Sequence, residues 1–227
     1  MFRYVKYFLV IVTLLLLGFS YAYFFSPNNN FLTGPSNQVI SLQNGRDILA
    51  VTNKVITNSD QPFIADPIAD ARSRVTKKTF GLKVSPQNSP VSPERFSGYH
   101  TGVDFETTAE EKDTIVPINT ICNGPLILKK WVSGYGGVVV QSCQINKLDI
   151  TVVYGHLKLD SVQAALNQEL LVGSTLGQLG QGYSSETDQE RKHLHLGIHR
   201  GKNIDLRGYV GSADDLTQWI DALTLVQ

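Results

Sequence analysis

The 227-residue chain has an apolar fraction of 42%, which is enough to fill a hydrophobic core and excludes an intrinsically disordered protein. At about 150 residues per domain, its length fits one domain with extensions. Its 20 basic and 20 acidic side chains balance. We therefore expect no nucleic-acid partner, because phosphate binding needs clustered positive charge.

The first 25 residues have the features of an export signal. Arg3 and Lys6 precede an uncharged, largely apolar run from Tyr7 to Phe25, and Ser20-Tyr21-Ala22 has small residues at both cleavage-site positions. Because roughly 20 apolar residues cross a hydrocarbon core, the same run is also long enough to stay as a membrane anchor. Both interpretations place the rest of the chain outside the cytoplasm, either secreted or anchored to the cytoplasmic membrane.

Residues 26–77 are interpreted as a linker and N-terminal extension, since they begin with stretches rich in Ser, Pro, Asn and Gly. From Gln38 to Ala71, apolar residues mix with polar breaks in a pattern that fits one or two short helices. A further loop is predicted at Ser85–Pro93, where three prolines disfavour a continuous helix or a central strand.

From about Gly98 to Ile198, short β-branched runs alternate with glycine turns, which predicts a mostly β, antiparallel domain. The clearest runs are Val138–Val140, Ile150–Tyr154 and Leu194–Ile198. The apolar spacing in Asp214–Leu223 predicts one closing amphipathic helix within residues 206–227.

Cys122 and Cys143 lie 21 residues apart, so they are not the close pair of a zinc ribbon or a redox motif. Their flanks predict two strands joined near Trp131 to Gly137, which would bring the cysteines close together across a hairpin. Either a disulfide, which an oxidising compartment would favour, or two buried free thiols fits the sequence.

Two of the five histidines occur in His193-Leu194-His195. Alternate side chains of a strand share a face, so His193 and His195 would point into one pocket. Leu194, Leu196 and Ile198 would then face the core. A metal ligand beside a catalytic base would suit this geometry.

A second candidate cluster is His100-Thr101-Gly102-Val103-Asp104. Residues four apart on an ideal strand have Cα atoms about 13 Å apart, too far to share an ion easily. The segment must therefore bend, and we expect Gly102 to supply the backbone freedom.

His156, at the end of a predicted strand, adds another imidazole. Together these residues suggest an open zinc site, in which three protein ligands leave the fourth position to water. A neutral histidine nearby would accept the proton of that water. The sequence contains no His-Glu-x-x-His motif, no Gly-x-Ser-x-Gly elbow and no Walker loop.

These motifs resemble, in order and type, those of the lysostaphin/LytM-type zinc metalloendopeptidases. The matching segments are Phe80-Gly81, His100–Phe105, Gly134–Gly136, Val153–Leu157, Gly173–Gly180 and His193–Leu196. The resemblance implies a β-sandwich domain with a groove at residues 78–205, after an N-terminal hydrophobic helix and before the C-terminal helix. It implies hydrolysis of peptidoglycan stem or cross-bridge peptides.

By position, the resemblance implies one zinc ion held by His100, Asp104 and His195, with His156 and His193 as catalytic histidines. His199 is expected to be peripheral. The sequence departs from the family pattern at Ser184–Lys192, which is longer and more charged than the usual small turn before His-x-His. No residue securely matches the site aromatic of some members, and Tyr99 is the candidate.

Arg191-Lys192 lies beside Arg200 and Lys202, and we interpret this basic cluster as a solvated strand end rather than an anion-binding patch. A non-catalytic scaffold that activates a separate amidase is the alternative function. The complete set of site residues favours an active enzyme. The sequence does not separate remodelling of the cell's own wall from attack on a competitor's wall.

Overall fold

The structure, a computed structural model, describes residues 64–226. Within them, the regular elements are β-strands and short 3₁₀ helices. The strands are β1 (Lys83–Val84), β2 (Gly98–His100), β3 (Gly102–Glu106), β4 (Pro117–Asn119), β5 (Gly124–Val132), β6 (Gly136–Ile145), β7 (Leu148–Gly155), β8 (Leu157–Lys158), β9 (Glu169–Leu170), β10 (Thr175–Leu179), β11 (His193–Arg200), β12 (Tyr209–Val210) and β13 (Trp219–Ile220). The 3₁₀ helices span Ala71–Arg74, Leu159–Ser161, Ser185–Thr187, Asp214–Gln218 and Ala222–Thr224.

Strand β11 lies within the largest sheet, whose order is β13-β11-β7-β6-β5-β9 with β3 also paired to β11. Residues 193–197 of β11 pair with β3, and residues 198–199 pair with β13. On its other edge, residues 195–200 pair with β7. Two three-stranded sheets, β1-β2-β12 and β4-β10-β8, complete the antiparallel arrangement. The predicted mostly β, antiparallel fold is confirmed.

One face of β11 forms part of the main hydrophobic core. Leu194, Leu196 and Ile198 are each 0% exposed and pack with Phe105 and Tyr154. The prediction that alternate residues of this strand face the core is confirmed.

Cys122 lies just before β5 and Cys143 lies on β6, so the hairpin brings them together as expected, and they form a disulfide with Cα atoms 6.2 Å apart. The side-chain amide of Gln141 donates a hydrogen bond of 2.8 Å to the carbonyl oxygen of Cys122, which ties the same region together. A disulfide here fits an oxidising compartment.

The first described residues belong to the same core. Ile64, Ile68 and Ala71 are buried against it, so the last part of the 26–77 extension packs on the β domain. The predicted signal or anchor at residues 1–25, its hydrophobic helix and the linker up to residue 63 lie outside the described residues. Within residues 64–226, no helix has the length and apolar character needed to cross a membrane.

The predicted amphipathic helix over Asp214–Leu223 is wrong. A 3₁₀ helix ends at Gln218, and Trp219 adopts extended backbone angles of φ −116° and ψ 164°. Trp219 and Ile220 then pair with His199 and Ile198 of β11. The helix-like apolar spacing is outweighed because the free edge of β11 supplies backbone hydrogen bonds and a buried position for the Trp219 side chain, which is 3% exposed.

Candidate metal centre and active site

A cavity of about 300 Å³ opens beside the first residues of β11. Its lining includes every site residue that the sequence predicts, namely His100, Asp104, His156, His193 and His195. Strands β2, β3 and β11 supply four of these side chains, and the turn after β7 supplies the fifth. The structure therefore brings all five together in one pocket.

His100, Asp104 and His195 are grouped so that each offers one ligand atom to a common centre. Nε2 of His100 lies 3.1 Å from Nδ1 of His195, and each of these nitrogens lies 3.2 Å from Oδ1 of Asp104. Ligands about 2.0–2.2 Å from a tetrahedral zinc ion are separated from one another by about 3.3–3.6 Å. The triangle is therefore close to the size that three zinc ligands require.

The predicted bend between His100 and Asp104 occurs at Thr101, where the chain leaves the sheet of β2 and enters the sheet of β3. The Thr101 amide donates to the carbonyl oxygen of Gly208 at 3.0 Å. The predicted reason for Gly102 is wrong, because its φ lies outside the left-handed region. A Cβ atom there would lie 2.7 Å from both Cε1 and Nε2 of His195, so glycine leaves room for the ligand ring.

Further contacts orient the two imidazoles of the triangle. Nδ1 of His100 lies 3.1 Å from the carbonyl oxygen of Thr79, which can only accept, so Nδ1 carries a proton and Nε2 is the nitrogen that faces the cluster. Nε2 of His195 lies 3.3 Å from the Tyr135 hydroxyl. Burial lowers the pKa of His195 to about 4, so this ring is neutral at pH 7 and able to coordinate a cation.

Asp104 is ionised although it is buried. Burial opposes its charge, but His193 and His100 outweigh that effect and hold the pKa of Asp104 well below its usual range. Its second oxygen, Oδ2, accepts a hydrogen bond of 2.8 Å from the Arg191 guanidinium and lies 3.2 Å from Nε2 of His193. The site therefore contains a carboxylate whose two oxygens have different neighbours.

The interpretation of Arg191 and Lys192 as a solvated strand end is wrong, since they are only 9% and 8% exposed. Arg191 compensates the buried charges of Asp104 and Glu106. The ammonium of Lys192 donates to the backbone carbonyl oxygens of Glu111 and Thr114 at 2.9 and 2.5 Å. Both cations are therefore held inside by acceptors distant in sequence.

His156 and His193 lie side by side, with ring centroids 4.2 Å apart. Nδ1 of His193 lies 2.9 Å from the carbonyl oxygen of Arg191, which leaves Nε2 directed into the cluster. His156 has a φ of 63°, uncommon for a residue other than glycine, in the turn that follows β7. Its Nδ1 is buried and has no hydrogen-bond partner among the described residues. Burial holds the pKa of His156 well below its usual range, so the ring is a neutral base.

Residues 98–206 match Peptidase family M23. This part of the chain belongs to that family. The M23 match contains all five site residues, so the resemblance seen in the sequence is confirmed together with the grouping of His100, Asp104 and His195. None of the curated proteins compared with the chain matches it.

Several solved structures are similar to the chain at low sequence identity. The catalytic domain of the antimicrobial peptidase lysostaphin from Staphylococcus simulans is 18% identical with a TM-score of 0.42, and 68% of this chain and 95% of that one are covered. CbpA from L. salivarius REN is 19% identical with a TM-score of 0.41, and the coverage is 65% and 82%. Csd3 from Helicobacter pylori is 20% identical with a TM-score of 0.41; 66% of this chain is covered, but this chain spans only 35% of that structure.

Two tyrosines to which the sequence assigned no role line the cavity. Tyr99, the candidate aromatic, is not among the cavity-lining residues, and its ring lies 5.3 Å from the Lys83 ammonium. Tyr135 and Tyr209 line the cavity instead, and the Tyr209 hydroxyl accepts a hydrogen bond of 2.8 Å from Lys78. Tyr135 stands in the Gly-Tyr-Gly segment already matched to the family, whereas no local pattern marked Tyr209.

His199, expected to be peripheral, does not line the cavity of the M23 domain. It is buried further along β11, and its ring packs edge-on against Trp219 with centroids 4.9 Å apart. The position of His199 is therefore explained by packing against β13.

Proposed function

We propose that the chain is a zinc-dependent endopeptidase that hydrolyses peptide bonds in peptidoglycan. The proposal rests on the triangle of ligand atoms from His100, Asp104 and His195, which lie 3.1–3.2 Å apart. The cavity around this triangle also contains the imidazoles of His156 and His193, which are not among the proposed ligands. Family membership supplies the reaction class.

The residues present fit one zinc ion. Two imidazole nitrogens and one carboxylate oxygen are a usual zinc donor set, and three protein ligands are the number typical of a catalytic site. Nε2 of His100 faces the cluster, the ring of His195 is neutral and Asp104 is ionised, an arrangement that suits coordination of a cation. When bound, zinc supplies a Lewis acid that polarises the scissile carbonyl and lowers the pKa of water to about 7.

His156 and His193 would carry out the proton transfers of the reaction. His156 is neutral and its Nδ1 is unengaged among the described residues, so it is able to accept a proton within the cavity. His193 presents Nε2 on the same side, 3.2 Å from Asp104 Oδ2. One of this pair would take the proton of the attacking water, and the pair would return a proton to the leaving amine. The Tyr135 hydroxyl, beside His195, would help to hold that ring in place.

The proposed substrates are stem or cross-bridge peptides of the cell wall, cleaved during wall remodelling outside the cytoplasm. The match of residues 98–206 to Peptidase family M23 supports peptide hydrolysis by this chain. The disulfide between Cys122 and Cys143 supports an extracytoplasmic location. A scaffold that only activates an amidase would have no need of the ligand triangle, so the complete set favours an enzyme.

The test uses the full chain, loaded with zinc and incubated with purified peptidoglycan of several cross-link types. Mass spectrometry should reveal new peptide termini with the wild-type protein and none with His195→Ala. His199→Gln, a histidine change on the same strand but outside the cavity, is the matched control and should cleave like wild type. Absence of cleavage by zinc-loaded wild-type protein on every cross-link type would contradict the endopeptidase proposal and favour the scaffold.

A further inference from the structure

Arg191, in the segment before β11, donates a hydrogen bond to the proposed ligand Asp104. This segment, Ser184–Lys192, is the part in which the sequence departs from the usual small turn of the family. Arg95 contacts this segment from its exposed side, with its guanidinium 3.3 Å from the Asp188 carboxylate and 3.0 Å from the Glu190 carboxylate. At its end, Arg191 turns inward and is 9% exposed.

The two carboxylate oxygens of Asp104 have different neighbours. Oδ1 lies 3.2 Å from the ligand nitrogens of both His100 and His195. Oδ2 accepts from the Arg191 guanidinium at 2.8 Å and has His193 as a second neighbour at 3.2 Å. The oxygen near the ligand triangle is therefore not the oxygen that Arg191 holds.

Glu106 fixes the guanidinium in this position. Nε of Arg191 donates to both carboxylate oxygens of Glu106 at 3.0 Å, and the terminal nitrogen that reaches Asp104 also donates to Glu106 at 2.5 Å. A planar guanidinium can bridge two carboxylates in this way, whereas the point charge of a lysine cannot reproduce the fork.

We propose that Arg191 is a positioning residue that restricts Asp104 to one metal-binding oxygen and so keeps the fourth position of the proposed zinc site open. The inference rests on the proposed function. A carboxylate is able to coordinate through one oxygen or two, and a second Asp104 oxygen would occupy the position that water and substrate need. The hydrogen bond from Arg191 competes for that oxygen. Changing the outer partner of a metal ligand costs about 10- to 100-fold in metal affinity or activity.

The experiment substitutes cobalt(II) for zinc in the full chain and records its visible absorption, which depends on the number and geometry of the ligands. Arg191→Met should alter the cobalt band positions and intensity. With zinc, it should lower the maximal rate of peptide release from purified peptidoglycan by about 10- to 100-fold, with little change in the amount of substrate giving half-maximal rate. Arg191→Lys should restore only part of the rate, because it retains the charge without the fork.

Two further variants keep the inference falsifiable. Glu106→Gln leaves Arg191 in the chain but weakens the contact that holds its guanidinium, so it should shift the cobalt spectrum in the same direction. This variant still tests the proposal if circular dichroism shows that Arg191→Met does not fold. Arg95→Met removes a cation that holds the same segment from outside, and it should leave the cobalt spectrum unchanged. An equal spectral change in Arg95→Met would show that loop position, not the Arg191 contact, is responsible and would overturn the proposal.

Failure of the proposed zinc-dependent function and failure of the proposed Arg191 role would give different results. If the wild-type chain binds neither zinc nor cobalt(II), the proposed function is wrong. If the wild type binds metal and cleaves peptidoglycan while folded Arg191→Met matches it in spectrum and rate, only the role of Arg191 is wrong, and His193 alone suffices to hold Oδ2.

Discussion

Replacing Gly102 by alanine should damage the metal site without requiring an unfavourable backbone conformation. Gly102 does not have a left-handed φ, so alanine suits its backbone. The added Cβ, however, would lie 2.7 Å from Cε1 and Nε2 of His195 and 2.7 Å from the carbonyl oxygen of Leu196. The carbonyl belongs to the β11 ladder and is not free to move, so we expect the His195 ring to be displaced.

The size of the effect follows from these distances. Carbon atoms at optimal contact are about 3.5–4.0 Å apart, so the ring must move by about 1 Å. Zinc ligands tolerate deviations of only about 0.2 Å, and a misplacement of about 1 Å in an active site costs on the order of 100-fold in rate. Crowding of this kind costs about 1–3 kcal/mol in the free energy of unfolding. We therefore expect a folded but less stable protein with at least a 100-fold loss of activity.

The assay compares three glycine variants by zinc content, zinc affinity, peptidoglycan cleavage and urea unfolding of the metal-free protein. Gly211→Ala is the matched control, because its Cβ would meet no heavy atom of the described residues within 4 Å. Gly197→Ala is intermediate, with contacts of 3.3 Å to Trp219 and 3.4 Å to His195. Wild-type zinc affinity and cleavage in Gly102→Ala would refute the argument that this glycine exists to make room for the ligand ring.

Three further predictions concern the ligands, the disulfide and pH. Asp104→Ala should lose stoichiometric zinc, whereas His193→Ala should keep zinc and lose most turnover; metal analysis beside the cleavage assay would expose a wrong assignment if the two behave alike. Cys122→Ala/Cys143→Ala should lower the free energy of unfolding by about 3 kcal/mol for a link across 21 residues, and a urea midpoint equal to that of the wild type would contradict this. Metal-free protein should lose stability as the pH falls from about 6.5 to about 4, because His195, with its pKa lowered to about 4, stays neutral in the folded state while it protonates in the unfolded state. The depressed pKa of His156 acts in the same direction, so urea midpoints that do not change between pH 7 and pH 5 would show that these two histidines are not buried as described.

Those parts of the site whose signal is local in the sequence could be predicted. Alternation along β11 places His193 and His195 on one face because a strand repeats every two residues, and the β5–β6 hairpin follows from strand-forming runs around a glycine turn. The order of the motifs along the chain then predicted that His100, Asp104 and His156 belong to the same site. These predictions depended on patterns that nearby residues alone determine.

Contacts between distant segments account for the errors. The spacing of Leu216, Trp219, Ile220 and Leu223 suits a helix, but Trp219 pairs with a strand that begins 26 residues earlier, and this interaction has no local signature. Likewise, Arg191 looks solvated in sequence because its acceptor Glu106 lies 85 residues away. The role of Gly102 could not be predicted either, because the group that requires a glycine there is the His195 ring, which lies on another strand.

The register of β11 links the hydrophobic core to the geometry of the metal site. His195 lies opposite Asp104 on β3 and opposite Gly155 on β7, so the backbone ladders place one ligand beside another and bring in the turn that holds His156. A slip of one residue would turn His193 and His195 into the core and expose the three fully buried apolar residues of β11, Leu194, Leu196 and Ile198. Exposing each apolar side chain would cost about 1.5–3 kcal/mol, so burial of the apolar face selects the register. The distances among the ligand atoms are thus specified largely by residues that never touch the cavity, which is why substitutions on the core face of β11 should affect metal binding as well as stability.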